Sequence, residues 1–152
     1  MSTYSQIYIQ IVIAVRGRDN NINPEWEDRL HKYISGFIRN NKQKLLAING
    51  TSNHLHILIG MLPSCCLSDF VRELKKSSNI FINENKLCKC RFNWQEGFGA
   101  FSYSRSQIDN VIKYILNQKT HHMKQTFKEE FMDYLKEYEI DHDERFLPDF
   151  YD

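Results

Sequence analysis

The sequence predicts an α+β fold: a ferredoxin-like antiparallel sheet with helices on one face, plus an added C-terminal helix. Two kinds of hydrophobic period carry this prediction, because segments with the two-residue repeat of a strand alternate with segments that repeat at helical spacing. Their order is βαββαβα, followed by a terminal helix. With 152 residues, of which 41% are hydrophobic, the chain fits one globular domain spanning residues 1–152.

The first strand is predicted at residues 6–14, where isoleucine occupies every second position from Ile7 to Ile13. After a turn-like stretch, Pro24 stands where the first position of a helix tolerates proline. Apolar residues then recur at helical spacing as far as Asn40. We therefore expect a strand followed by an amphipathic helix.

A hairpin is predicted next, because strand-forming runs at residues 44–48 and 54–62 flank the turn residues of "NGTSN". Pro63 ends the second arm of this hairpin. From Leu67 onward, apolar residues lie on one helical face, which predicts a second helix that ends at about Asn85.

Aromatic and polar residues at 91–103 predict a further strand. Gly97 and Gly99 interrupt it, and glycine at such positions permits a bulge or a bend. Ser106 suits the N-cap of a third helix, which carries an apolar stripe through Leu116.

The last part of the chain combines a predicted helix with a concentration of acidic residues. The capping-box spacing of Thr126 and Glu129 predicts a helix through about Tyr138. Residues 129–152 contain ten acidic and two basic side chains, a net charge of −8, which leaves +9 on residues 1–128. A basic body with an acidic tail is compatible with a polyanionic partner, and equally with solvated charge of no special purpose.

Several classes of protein are not indicated. No run approaches 18 uninterrupted apolar residues, and the N-terminus lacks the basic start and cleavage site of a signal peptide, so we expect a cytoplasmic protein. Thiols of a cytosolic chain are normally reduced. The four cysteines form an adjacent pair and an i,i+2 pair, spacings that fit a zinc site poorly.

Two histidines in the third predicted strand are candidates for metal binding. His54 and His56 are two residues apart, so their imidazoles lie side by side on one face of the strand. The same pattern also occurs in ordinary strands. Tyr114 and Gln118 are four residues apart on the third predicted helix, beside its apolar stripe, where they either reach a site or remain solvated rim residues.

The residues His54-Leu55-His56, followed by Y-x-x-x-Q at residues 114–118, resemble the small single-tyrosine HUH transposases of insertion sequences, including REP-associated tyrosine transposases. The stretch "WQEGFGAFSYSRSQIDNVIKYI" is also similar to that family, and the likeness covers essentially the whole chain. Members often carry an acidic residue just before the first histidine, where this chain has Asn53.

The resemblance implies a metal-dependent transposase. In that family two histidines and a glutamine bind a divalent ion, Mg²⁺ or Mn²⁺, while the tyrosine attacks single-stranded DNA and forms a 5′-phosphotyrosine. The matching residues are His54, His56 and Gln118 as metal ligands and Tyr114 as the catalytic nucleophile. Imidazole ligands favour Mn²⁺. The resemblance also implies DNA hairpins as partners and a homodimer with possible trans active sites.

Candidates for DNA binding are Arg72, Lys75 and Lys76 on the second predicted helix, which are equally explained as solvated helix residues. His121 and His122 are predicted to lie on the surface, because adjacent side chains of a helix diverge. The alternative function is a non-catalytic or host-adapted single-stranded nucleic-acid-binding protein, since ferredoxin-like sheets also serve as nucleic-acid platforms. The presence of all four site residues favours the enzyme.

Overall fold

The computed structural model describes residues 1–152 and contains four strands and five α-helices. A 3₁₀ turn follows at Glu144–Phe146. In chain order the elements are β1 (Tyr8–Ala14), α1 (Pro24–Asn40), β2 (Lys44–Gly50), β3 (His54–Gly60), α2 (Leu67–Glu84), β4 (Gly99–Tyr103), α3 (Arg105–Leu116), α4 (Gln118–His121) and α5 (Phe127–Glu137).

The four strands form one antiparallel sheet in the order β2-β3-β1-β4. The two central strands, β1 and β3, pair along their whole length, with Val12 opposite His56. Together with the order of the helices, this topology confirms the predicted ferredoxin-like fold.

Strand alternation separates the two faces of the sheet. Leu55, Ile57 and Ile59 of β3 enter a core that is completed by apolar residues of α1 and α2. Those two helices therefore share one face, as predicted. The intervening positions of β3, including His56, lie on the opposite face, where α3 and α5 pack against the sheet.

The third helix differs from its prediction at both ends. It begins at Arg105, because Ser104 and not Ser106 is the N-cap, and the side-chain oxygen of Gln107 accepts a hydrogen bond from the Ser104 amide at 2.9 Å. It ends at Leu116, so that Gln118 begins the short helix α4 instead of extending α3.

The strand predicted at 91–103 is shorter than expected. Only Gly99–Tyr103 pairs along β1, while Trp94 makes an isolated bridge to Val15. Gly97 lies between them with φ +77°, a conformation that turns the chain out of the strand. The four cysteines are unpaired, and none of the helices is both long and apolar enough to cross a bilayer.

Candidate active site

The two predicted histidines lie fully buried on the central strand β3. The ring centroids of His54 and His56 are 5.0 Å apart, and neither side chain has any exposed surface. At the start of this strand the hairpin passes so close that a Cβ on Gly50 would lie 2.1 Å from the carbonyl oxygen of His54. Phe127 of α5 stacks flat on the His54 ring, with 4.0 Å between centroids. The sheet and α5 thus fix both imidazoles.

Amide oxygens determine which ring nitrogen carries the proton. His54 Nδ1 lies 2.7 Å from Asn53 Oδ1, and His56 Nδ1 lies 2.6 Å from Gln10 Oε1. Because an amide oxygen only accepts hydrogen bonds, each Nδ1 is the donor and each Nε2 of a neutral ring presents a lone pair to the site. Asn53 therefore supports His54 through its side-chain oxygen.

A glutamate of α5 connects the predicted residues. Glu130 is 2% exposed. Its Oε1 lies 2.9 Å from His56 Nε2 and 3.3 Å from His54 Nε2. Its Oε2 accepts a hydrogen bond from the Tyr114 hydroxyl and another, at 3.1 Å, from the Gln118 amide. All four predicted site residues are consequently brought together within one chain, around this carboxylate.

The surface prediction for the adjacent histidines is wrong. The side chain of His122 is only 10% exposed, and its Nε2 lies 3.2 Å from Glu130 Oε1. The side chain of His121 is 29% exposed, with its Nε2 3.1 Å from the Tyr114 hydroxyl. The break at Asn117 explains both positions, because α4 starts a new helical turn that directs these rings toward β3 and α5.

Glu130 was missed by sequence reasoning, although its position carries a detectable pattern. The buried residues of α5 include Phe127, Phe131 and Tyr134, and Glu130 lies among them on the same face. An acidic residue inside an apolar helical stripe is almost never buried unless it is paired. This irregularity marks Glu130 as a residue with partners elsewhere in the fold.

Electrostatics within the cluster favour an ionised Glu130 carboxylate. Burial alone would raise the pKa of Glu130, but the imidazoles of His122, His54 and His56 outweigh it and hold that pKa far below its ordinary range. Burial lowers the pKa of His54 to about 4. Burial, and then the hydrogen bond to Glu130, raise the pKa of Tyr114.

The cluster has the composition of a metal site. One donor atom each from His54, His56, His122 and Glu130 lies within 4.8 Å of all the others. Imidazole nitrogen and carboxylate oxygen together suit divalent transition ions such as Mn²⁺. The buried Nε2 of His122 has no hydrogen-bond partner, which leaves a lone pair or a proton to be satisfied. The residues present therefore fit a divalent cation.

A cleft of about 440 Å³ opens beside the half-buried Tyr114. Its wall is formed by α3 and α5 and includes Tyr103, Asn110, Gln125 and Tyr138. Polar and aromatic groups of this kind can contact a nucleotide. Tyr114 and Glu130 both line this cleft, and the half-buried Tyr114 is the more exposed of the two.

The predicted DNA-binding residues lie on α2, which packs on the sheet face opposite the histidines. Arg72 is exposed and pairs with Asp69 at 3.0 Å. Lys76 is exposed. Lys75 is half-buried and donates hydrogen bonds to the carbonyl oxygens of Gln95, at 2.7 Å, and Gly97. The structure thus brings none of the three to the histidine face.

Comparison with known proteins agrees with this fold. A protein from Deinococcus radiodurans described as a candidate transposase superposes with a TM-score of 0.61 at 19% identity, covering 78% of this chain and 95% of its own. A REP-associated tyrosine transposase bound to a REP hairpin superposes with a TM-score of 0.59 at 18% identity, covering 80% and 74% of the two chains. The fold is therefore that of tyrosine transposases.

The sequence itself matches the model of the family "Transposase IS200 like" over residues 3–118. The chain belongs to the IS200-like transposase family. No curated protein matches it significantly. The family match begins before β1 and ends at Gln118, so it includes both histidines and Tyr114 but stops short of His122 and Glu130.

Proposed function

We propose that the protein is a metal-dependent transposase that cleaves and rejoins single-stranded DNA through a 5′-phosphotyrosine intermediate. Tyr114 is the nucleophile, and His54, His56 and Gln118 are metal ligands. One observation carries this proposal: the Tyr114 hydroxyl and the His56 imidazole bind opposite oxygens of the Glu130 carboxylate, so nucleophile and ligands share one buried group.

In the proposed reaction the Tyr114 oxygen forms a bond to the phosphorus of a DNA phosphodiester. The bond from phosphorus to the 3′ oxygen breaks, and that oxygen leaves as a 3′-hydroxyl after taking up a proton. The divalent ion, when bound, polarises the phosphate and orients it for attack. Attack by a different 3′-hydroxyl on the phosphotyrosine reverses the step and joins the DNA at a new place.

The surroundings of Tyr114 suit a nucleophile that is inactive until the site is loaded. A phenol is a weak nucleophile while it keeps its proton, and burial, followed by the neighbouring carboxylate, raises the pKa of Tyr114. Glu130 Oε2 already accepts the hydroxyl hydrogen bond and is therefore the atom positioned to receive this proton. A cation near Oε1 would offset the carboxylate charge and lower the cost of forming the phenolate.

The proposed partner is single-stranded DNA with hairpin ends. The fold neighbour bound to a REP hairpin supports it, as does the net charge of +9 on residues 1–128. We keep Arg72, Lys75 and Lys76 as proposed DNA contacts. Because α2 lies on the face opposite the cleft, they would hold DNA away from the reacting phosphate.

The resemblance to HUH transposases also implies a homodimer with possible trans sites, whereas the intrachain contact of Tyr114 with Glu130 supports catalysis within one chain. Mixing Tyr114→Phe with His56→Ala separates the two arrangements. We expect the mixture to remain inactive. Recovery of cleavage would demonstrate that the tyrosine of one subunit serves the histidines of another.

The deciding experiment uses a pool of labelled hairpin oligonucleotides with randomised single-stranded flanks, incubated with Mn²⁺ or Mg²⁺ and resolved under denaturing conditions. We expect a covalent protein–DNA adduct that disappears in Tyr114→Phe. Tyr103→Phe is the matched control, because Tyr103 lines the same cleft without contacting Glu130. An adduct that survives in Tyr114→Phe would overturn the mechanism, and a mobility shift without an adduct would indicate a binding protein.

A further inference from the structure

Glu130 is buried and His122 is largely buried, and the predicted ligand set explains neither of these polar residues. The Nε2 of His122 lacks a hydrogen-bond partner even though it lies 3.2 Å from Glu130 Oε1. A buried polar atom without a partner destabilises the fold unless something satisfies it. Both residues lie after Gln118, where the family match ends, so the family match does not account for them.

The distances from Glu130 Oε1 to three imidazole nitrogens are those of ligands on one ion. Two ligands about 2.1 Å from a common ion lie about 3.0 Å apart on neighbouring octahedral positions and about 3.4 Å apart on tetrahedral ones. Glu130 Oε1 lies 2.9 Å from His56 Nε2, 3.3 Å from His54 Nε2 and 3.2 Å from His122 Nε2. Small movements would therefore place the four donors around one cation.

The fixed orientation of the imidazoles gives an independent argument. Asn53 and Gln10 accept hydrogen bonds from Nδ1 of His54 and His56, so Nε2 of both rings points toward Glu130 Oε1. Metal-bound histidines are held in this way, with the other ring nitrogen donating to an oxygen.

We propose that His122 and Glu130 are also ligands of the divalent ion, which adds a third imidazole and a carboxylate to the proposed ligands His54, His56 and Gln118. This deepens the proposed function, because the same carboxylate binds the ion through Oε1 and the Tyr114 hydroxyl through Oε2. Gln118 remains a proposed ligand, and its side-chain NH₂ group donates a hydrogen bond to Glu130 Oε2. The carboxylate reduces the net charge of the loaded site from +2 to +1.

Mn²⁺ binding to the whole protein without DNA tests the proposal. Calorimetric titration should show Glu130→Gln and His122→Ala each weakening Mn²⁺ binding by about 100-fold, a loss of the size expected for removing a ligand or its direct support. His121→Ala is the matched control, because its ring contacts Tyr114 and only the outer oxygen of Glu130, at 3.5 Å. We expect its affinity to stay within about threefold of the wild type.

Pulsed electron paramagnetic resonance on bound Mn²⁺ provides a second measurement, which requires no variant of the glutamate. Nitrogen couplings should count three imidazoles in the wild type and two in His122→Ala. Unchanged Mn²⁺ affinity in folded Glu130→Gln and His122→Ala, or two imidazoles in the wild type, would overturn the proposal. Failure of DNA cleavage would not affect this result, since DNA is absent from both measurements.

Discussion

Gln10 offers the sharpest test of how the fold maintains the active site. It lies on β1, is fully buried and makes three side-chain hydrogen bonds. Its amide donates to the Tyr103 hydroxyl at 2.6 Å, while its oxygen accepts from His56 Nδ1 at 2.6 Å and from the Tyr134 hydroxyl at 3.3 Å. Gln10→Leu keeps a similar side-chain volume and removes all three hydrogen bonds.

The expected loss of stability follows from these contacts. The buried Nδ1–H of His56 loses its acceptor, which costs about 1–3 kcal/mol. The Tyr103 hydroxyl borders the cleft, so water can replace its lost bond at little cost. Adding a contribution for buried Tyr134, we expect the free energy of unfolding to fall by about 2–4 kcal/mol, or the melting temperature by about 6–12 °C.

The same substitution should also loosen the orientation of His56 and weaken Mn²⁺ binding by about 10- to 100-fold. Urea unfolding and calorimetric titration measure the two effects separately. Gln10→Glu is the control, because its carboxylate still accepts from His56 Nδ1 and should preserve Mn²⁺ affinity. A Gln10→Leu protein that loses less than about 0.5 kcal/mol and binds Mn²⁺ normally would refute the role assigned to this residue.

Two further predictions concern acid stability and DNA affinity. The pKa of His54 is about 4 in the folded chain and ordinarily 6.5. Between these two pH values the unfolded chain binds a proton that the folded chain does not. The free energy of unfolding should therefore fall by up to about 3 kcal/mol as the pH drops from 6.5 toward 4. The melting temperature should fall less with pH in His54→Gln than in the wild type. The variant His142→Ala, at an exposed histidine, should behave like the wild type. A fall in His54→Gln equal to that of the wild type would show that His54 is not the responsible group. Replacing Arg72 and Lys76 with alanine should weaken single-stranded DNA binding and reduce the salt slope by about 1.4, if each contacts one phosphate. Filter binding at several salt concentrations measures this slope, with Lys32→Ala on α1 as the control. If the Arg72 and Lys76 variant has the same slope as the control, α2 does not contact DNA.

The sequence predicted the half of the site that depends on local periodicity. Alternation along β3 placed His54 and His56 on one face, and the structure shows both rings there, fully buried. The position of Gln118 was less predictable, because a single turn at Asn117 decides whether it extends α3. The local hydrophobic pattern therefore predicted which face of β3 carries the histidines, but not the helix break at Asn117.

The remaining site residues depend on tertiary contacts that no local repeat encodes. Glu130 meets His56 across 74 positions of sequence, and this contact exists only because α5 packs on the histidine face. The side chains of His121 and His122 point in different directions, as expected for adjacent residues of a helix, yet both rings lie near Glu130. An acidic residue within an apolar stripe was the only indication, and it gives no information about the partner.

This sequence separation has a consequence for the chain during its synthesis. The histidines leave the ribosome early, and Tyr114 and Gln118 follow, but the carboxylate that joins them comes from α5 and is translated later. Contacts between such distant positions form only after the intervening chain is available. A nascent chain that ends before Glu130 therefore carries His54, His56, Tyr114 and Gln118 without the carboxylate that joins them, and we expect the proposed cleavage activity only after α5 has folded.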